Sequence, residues 1–405
     1  MKLLSVNKYY YQKGGAETYY FSLNRLMADR GVEVIPYSMK DSRNMESPYE
    51  KFFVENIDYY DKNLLKRARY ALKVIYSTEA KRKIGRLIRE SRPDLVHLQN
   101  FYHQLSPSIL GEIKKYGLPI VFTAHDLKLL CPNYQMLCRG EICEKCKYGS
   151  YIQCTLNRCV KDSLAGSLVN TTEMYLHRML RSFDRIDRVI TPSNFYKQKF
   201  IEFGFQPEKI VHIPNFIDQE SFRPNYENKG YAVFVGRLSR EKGILTLVDA
   251  MKSLRNRKLL IIGEGPLKPE IEELIEKEGL TNVELLGFRS GTELRELISG
   301  CYMAVLPSEW HENAPYSVLE AMAMGKPVIG AATGGIPELV QDGRTGLIFE
   351  SRNAEHLSMQ MKKLFSSPHM AAEMGREARD RIEKEFSRDI HFQKLSEVYS
   401  DVMCT

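Results

Sequence analysis

Short apolar runs alternate along this chain with stretches of helical period, and that alternation sets the fold class before any motif is considered. The spacing predicts strands over 2–6, 32–37, 95–98, 120–123, 188–191 and 209–213. Between the first two, 16–30 reads as a helix that Gly31 stops. Helical stretches precede the runs at 95 and 120, each ending near a proline or glycine. Strands separated by helices in this way favour a mostly parallel sheet with helices on its faces.

After Pro214-Asn215 the pattern breaks. Residues 218–229 are polar, hold Pro224, Asn225 and Asn228, and read as an interdomain linker. The alternation then restarts, with strands over 231–235, 258–262, 282–286, 302–306 and 327–329. The predicted architecture is therefore α/β, with two Rossmann-like doubly wound domains, 1–217 and 230–388. A terminal segment, 389–405, has helical period and is expected to return to the first domain. A chain of 405 residues exceeds what one core usually serves, which fits this division. Ligands in open α/β sheets bind beyond the carboxyl ends of the strands, so two such domains facing each other are expected to enclose a cleft.

The loops that follow strands are chemically loaded. After 231–235 comes Gly236-Arg237-Leu238-Ser239-Arg240-Glu241-Lys242-Gly243. Arg237 offers a planar fork and Lys242 a point charge, and the helix start beyond them supplies N–H groups, an arrangement suited to a diphosphate. Gly263-Glu264-Gly265-Pro266 gives backbone access beside it. The strongest motif follows 302–306 and runs from Pro307 through Glu312 and Asn313-Ala314-Pro315-Tyr316-Ser317 to Glu320. Glu312 lies in the loop and Glu320 about two turns into a helix that Pro315 can begin. Carboxylates so placed suit two hydroxyl-bearing rings of one extended ligand, with the N–H groups of 313–317 facing its diphosphate.

Taken together, these motifs make the chain similar, over nearly its whole length, to family 4 of the retaining glycosyltransferases, which have the GT-B fold. The resemblance implies a nucleotide-diphosphate sugar donor, with Glu320 on the ribose, Glu312 on the donor sugar, and Arg237 and Lys242 on the diphosphate. It implies a nucleobase near Phe288. In the first domain, Gly14-Gly15-Ala16-Glu17 matches the family's glycine-rich loop near phosphate and acceptor, and His125-Asp126 matches its active-site histidine. Ile213-Pro214-Asn215 resembles the segment that leads into its linker. Retention at the anomeric carbon follows from the same resemblance, as does a hydroxyl acceptor, a glycan or lipid-linked glycan. Each motif alone has a plainer explanation, since a Gly-Gly is commonly a turn and a histidine at a strand end commonly structural. Their order after strands in both halves is what carries the reading. Its rivals are another GT-B enzyme, an epimerase or a phosphorylase, and a non-catalytic nucleotide-sugar-binding or metal-stapled scaffold.

Composition changes this picture in three places. The net charge of +7 comes from one region: 62–92 holds eleven Lys or Arg against two Glu. Within it, Leu64, Leu65, Ala68, Ala71, Leu72 and Ile75 recur at helical spacing. They predict either a surface helix packed on the sheet or an interfacial helix that meets anionic lipid. Nothing accompanies the charge that would recognise nucleic acid. No stretch resembles a signal or membrane span, which predicts a cytoplasmic protein, peripheral at most to the inner face of the membrane. Six of eight cysteines crowd into 131–159. Cys143 and Cys146 have the gap of a metal knuckle, and a structural zinc on four of Cys138, Cys143, Cys146, Cys154 and Cys159 is the leading expectation, with another metal or redox pair and ordinary reduced cysteines as its alternatives. No Asp-x-Asp triplet occurs, so no metal is expected in catalysis, and Arg237, Lys242 and the helix N-terminus would neutralise the leaving group.

Overall fold

The computed structural model describes residues 1–57 and 63–404, Leu64 by its backbone only. Lys62, the first residue of the basic segment, and Thr405 lie outside the described residues. The chain divides into two compact units, Met1–Ile213 with Phe392–Thr405, and Pro214–His391.

In the first unit the apolar runs form β1 (Lys2–Val6), β2 (Glu33–Tyr37), β3 (Leu95–Leu98) and β4 (Ile120–Thr123). A small hairpin of β5 (Leu137–Cys138) and β6 (Glu141–Ile142) follows, then β7 (Arg188–Thr191) and β8 (Ile210–His212). The main sheet is wholly parallel, in the order β2-β1-β3-β4-β7-β8. Its helices are α1 (Gly15–Asp29), α2 (Leu64–Ile75), α3 (Thr78–Ser91), α4 (Ser108–Lys114), α5 (Ile152–Leu156), α6 (Leu164–Met179) and α7 (Asn194–Glu202). The fully buried strands explain why these runs carry no polar alternation: a parallel sheet covered on both faces has no wet side. Leu4, Val6, Ile84, Leu87, Val96, Leu98, Ile109 and Phe122 form the centre of that core.

The second unit repeats the plan with β9 (Tyr231–Val235), β10 (Lys258–Ile262), β11 (Val283–Gly287), β12 (Met303–Leu306), β13 (Val328–Ala331) and β14 (Gly346–Phe349). All pair in parallel, in the order β11-β10-β9-β12-β13-β14. Helices α8 (Ile244–Met251), α9 (Lys268–Glu278), α10 (Gly291–Ser299), α11 (Tyr316–Ala323), α12 (Ile336–Leu339), α13 (Ala354–Phe365) and α14 (Pro368–Glu385) cover it. The last helix, α15 (Arg388–Cys404), begins in this unit and ends in the first. There the Tyr399 hydroxyl meets His97 Nδ1 at 2.6 Å, and Arg188 pairs with Asp401.

Three features differ from the sequence expectations. Residues 214–217, expected with the first domain, belong to the second, because Ile217 N donates to Phe386 O and Asn215 Nδ2 to Ala314 O. The polar stretch 218–229 is tied along that unit: Asn225 N donates to Met324 O, Lys229 N to Gly300 O, and Lys326 Nζ to Glu227 O. Finally, β14 was not foreseen.

Candidate functional site

In the second unit the loaded loops meet at the carboxyl edge of adjacent strands. Arg237 follows β9 and is exposed there. Two positions later the chain is anchored by Ser239, whose Oγ donates to Glu241 Oε1 at 2.7 Å. Gly243, in the left-handed region, starts α8; a Cβ there would lie 1.8 Å from Pro307 O, so the β9 and β12 loops close on each other only with glycine. Glu309 N donates to Glu241 O at 2.9 Å across the same seam.

This closure places Lys242 Nζ 2.5 Å from Glu312 Oε1, which also accepts from Ser308 Oγ at 2.7 Å. Burial alone would raise the Glu312 carboxyl, but the Lys242 charge and hydrogen bond, with that of Ser308, hold it below the ordinary glutamate value. Lys242 also lies 5.3 Å from the Trp310 ring centroid. From behind, Gly335 N donates to Glu312 O at 2.7 Å and fixes the loop's path.

Pro315 stands at the N-cap of α11, one residue outside the helix, so Tyr316 and Ser317 are its first turn. Ala314 just before it is held by Asn215, and Asn313 is buried beside it. On the same helix Glu320 is partly buried, with no ion pair among the described residues; burial pushes its carboxyl up to about 7, only partly opposed by the charge of Arg295. Gly263 follows β10 and passes so close to the β9 loop that a Cβ would sit 1.9 Å from Gly236 O. Phe288, after β11, exposes 68% of its surface. The predicted residues of this unit therefore line one sheet edge in the strand order β11, β10, β9, β12.

The first unit has its own loaded edge. Gly14 and Gly15 are exposed at the start of α1, and Glu17 is buried within its first turn. Asn7, at the end of β1, donates to Glu17 Oε1 at 3.4 Å, and burial raises that carboxyl above its ordinary value. His125, after β4, meets Gln99 Oε1 through Nε2 at 2.6 Å, and the Tyr19 ring packs edge-on at 4.9 Å. The amide oxygen accepts, so Nε2 carries the proton. Burial holds His125 down to about 3 and Asp126 up to about 6, leaving the imidazole neutral at pH 7. Gln99 and Tyr19 were not singled out from sequence. Gln99 had a usable signal, being the residue directly after a strand run; Ser308, two residues after one, was given no role of its own within its motif.

The cysteines are all unbridged. Cys131 contacts Cys146, and Cys159 contacts both Cys154 and Cys138. Among the described residues, no three of His, Cys, Asp and Glu gather as a ligand set. Cys146 and Cys154 instead pack with Tyr151 and Met174 in a small apolar cluster under the insertion. Among the described residues, no helix is long and apolar enough to cross a membrane.

With that geometry in view, comparison with known proteins is specific. Residues 13–221 match the family model of glycosyltransferase family 4, and residues 216–381 match that of glycosyl transferases group 1. An uncharacterized glycosyltransferase of Methanocaldococcus jannaschii, MJ1178, is 26% identical over 395 residues, 97% of this chain and 95% of that protein. A putative colanic acid biosynthesis glycosyltransferase of Salmonella typhimurium, WcaL, is 26% identical over 235 residues, 54% of this chain and 58% of its own length. Among solved structures, Anabaena Alr3699/HepE in complex with UDP and glucose superposes with a TM-score of 0.71 at 19% identity, covering 99% of this chain and 100% of that one. Sucrose-phosphate synthase from Thermosynechococcus elongatus gives 0.74 at 18% identity, covering 100% and 99%.

Proposed function

The chain belongs to glycosyltransferase family 4 and has the GT-B fold, and from that premise we propose that it moves a sugar, with retention, from a nucleotide-diphosphate sugar to a hydroxyl acceptor. The acceptor proposed is a glycan or lipid-linked glycan in surface polysaccharide assembly, the field named for WcaL. The chain works at the inner face of a membrane in this reading, with the basic segment 62–92 toward anionic lipid. The observation that carries the reading is the closure of the β9 and β12 loops, which sets Arg237 and the Lys242–Glu312–Ser308 cluster on one strand edge beside the start of α11.

The chemistry follows from that cluster. The bond between the anomeric carbon and the diphosphate oxygen breaks through an oxocarbenium-like state, and charge grows on the leaving phosphate. Arg237, Lys242 and the first N–H groups of α11 stabilise it without having to reorganise. Glu312, kept ionised by Lys242, accepts from hydroxyls of the donor sugar. Glu320 lacks a cationic partner and is suited to the vicinal hydroxyls of ribose, with Phe288 beneath the base. A double displacement needs a carboxylate under the anomeric carbon. Glu312 is already committed to Lys242 and Ser308, so same-face transfer is favoured, the leaving phosphate oxygen taking the acceptor proton. A neutral His125, donating to Gln99, orients a hydroxyl and does not serve as an obligatory base.

Thermal unfolding against UDP, GDP, ADP and their sugar conjugates in EDTA tests the donor site. A ligand at about 100 times its Kd stabilises by roughly 2.7 kcal/mol, which moves the midpoint by several degrees. One base should stand out, and its shift should vanish in Arg237→Ala; no shift with any nucleotide removes the reading. A structural zinc in the cysteine segment is a separate proposal, resting on the knuckle spacing of Cys143 and Cys146 alone. Metal content below about a tenth of an equivalent, in protein purified without added zinc, would remove it.

A further inference from the structure

Helix α6 is inside out. Its buried side is mostly polar: Ser167, Asn170, Thr171, Glu173 and His177 face inward, with Met174 the one apolar residue among them. Each polar one has a partner there. Glu173 pairs with the buried Lys128 at 2.8 Å, and Lys128 also donates to Asn170 Oδ1 at 2.8 Å. Thr155 Oγ1 donates to Thr171 Oγ1 at 2.8 Å, and His177 meets Ser182 Oγ and Ile75 O at 2.9 and 2.8 Å. The outward side of this helix, which begins five residues after Cys159, is apolar. Leu164, Leu168, Tyr175 and Met179 are 53%, 52%, 40% and 73% exposed, at the spacing of a single helical stripe through Thr172. Polar groups that must be satisfied inside have turned the apolar face to the outside, where water gains nothing from it.

The helices packed against α6 continue the pattern. On α2, Leu65 and Leu72 are 82% and 66% exposed; on α5, Ile152 and Leu156 are 43% and 68% exposed. The helical spacing of α2 thus does not pack Leu65 and Leu72 on the sheet. Arg67 and Arg69 on α2 and Arg178 on α6 are exposed among these residues. Among the described side chains, α2, α5 and α6 expose no carboxylate, for the single acid in the three helices is the buried Glu173. A second copy docking on this face through a two-fold axis would bring like charges together. An anionic bilayer meets both demands, taking leucines into its interface and arginines onto its headgroups.

We propose that the outward face of α6, with α2 and α5, is a docking surface for an anionic lipid bilayer. This deepens the peripheral-contact reading above, moving its apolar anchor from the basic segment to the helix that follows the cysteine insertion. The test is flotation of the full chain with phosphatidylcholine vesicles, with and without phosphatidylglycerol. The wild type should float with the mixed vesicles, and Leu168→Glu/Met179→Glu should lower the bound fraction by roughly tenfold or more. Arg67→Gln/Arg69→Gln should weaken binding to the mixed vesicles and flatten its salt dependence. Equal flotation of wild type and the leucine–methionine variant, no flotation of either, or a wild-type dimer that this variant dissolves without any vesicle binding would each overturn the proposal. The nucleotide-induced thermal shift of the variant keeps the two readings apart, because the fold and donor site lie elsewhere. A retained shift with lost flotation supports the docking surface, and flotation without any nucleotide shift would strike the donor reading alone.

Discussion

The carboxyl edges of the two parallel sheets are built from the same kind of loop, yet their electrostatics differ. In the second unit a buried carboxylate, Glu312, is matched by Lys242 and kept ionised, and Arg237 stands exposed beside it. In the first unit Glu17 and Asp126 are pushed up by burial and His125 is pushed down, so the edge around them loses charge. In the proposed reaction the charged edge takes the diphosphate, and the uncharged one a hydroxyl. The difference lies in whether a cation reaches the buried acid. The closure at Gly243 brings Lys242 onto Glu312, whereas at Glu17 burial outweighs the amide of Asn7 at 3.4 Å and the charges of Lys8 and Lys13.

The comparison is broken most directly on the charged edge. Arg237→Ala should lower kcat by about 10²- to 10³-fold, as expected for one lost transition-state donor, and an unchanged kcat would place that edge outside the reaction. Removing Lys242 strands Glu312: Lys242→Met should cost about 3 kcal/mol in denaturant unfolding, and adding Glu312→Gln should recover much of it. Simple additivity of the two losses would mean the pair does not hold the loop.

Glu320 sharpens the contrast within the second unit, since it resembles the acids of the first. Glu320→Ala should weaken nucleotide binding more than it slows the bound complex; a pure rate effect contradicts the ribose role. Its pKa also makes a stability prediction. The folded value of about 7 lies above the ordinary 4.5, so the contribution is full below pH 4.5 and is lost as pH rises through 7. Glu320→Gln should therefore be progressively more stable than wild type over that window, and parallel pH curves would refute the raised value. The smallest effect belongs to His125. Because it is already neutral above about pH 3, the rate profile between pH 5 and 8 should carry no inflection that His125→Asn abolishes.

Much of the fold was legible along the chain. The runs 95–98, 120–123 and 231–235 became strands because short, mostly apolar runs bounded by turn signals suit a parallel sheet covered on both faces. Arg237, Lys242, Glu312 and Glu320 were legible because each sits just beyond such a run or in the helix that follows it. Gln99 and Tyr19 were not singled out, for their role depends on which ring lies opposite.

By itself, then, the sequence determined the two alternating halves, the family and the residues on the strand edges, since these follow from local period and from motif order. Only the tertiary structure decided the charge states of Glu312, Glu320 and His125, because a pKa depends on burial and on partners distant in sequence. It also decided which way α6 faces. A helix with leucines on one side and Glu173 and His177 on the other would ordinarily bury the leucines. Lys128, carried in from the loop after β4, holds the acid inside by a buried ion pair, and the apolar stripe is left on the surface.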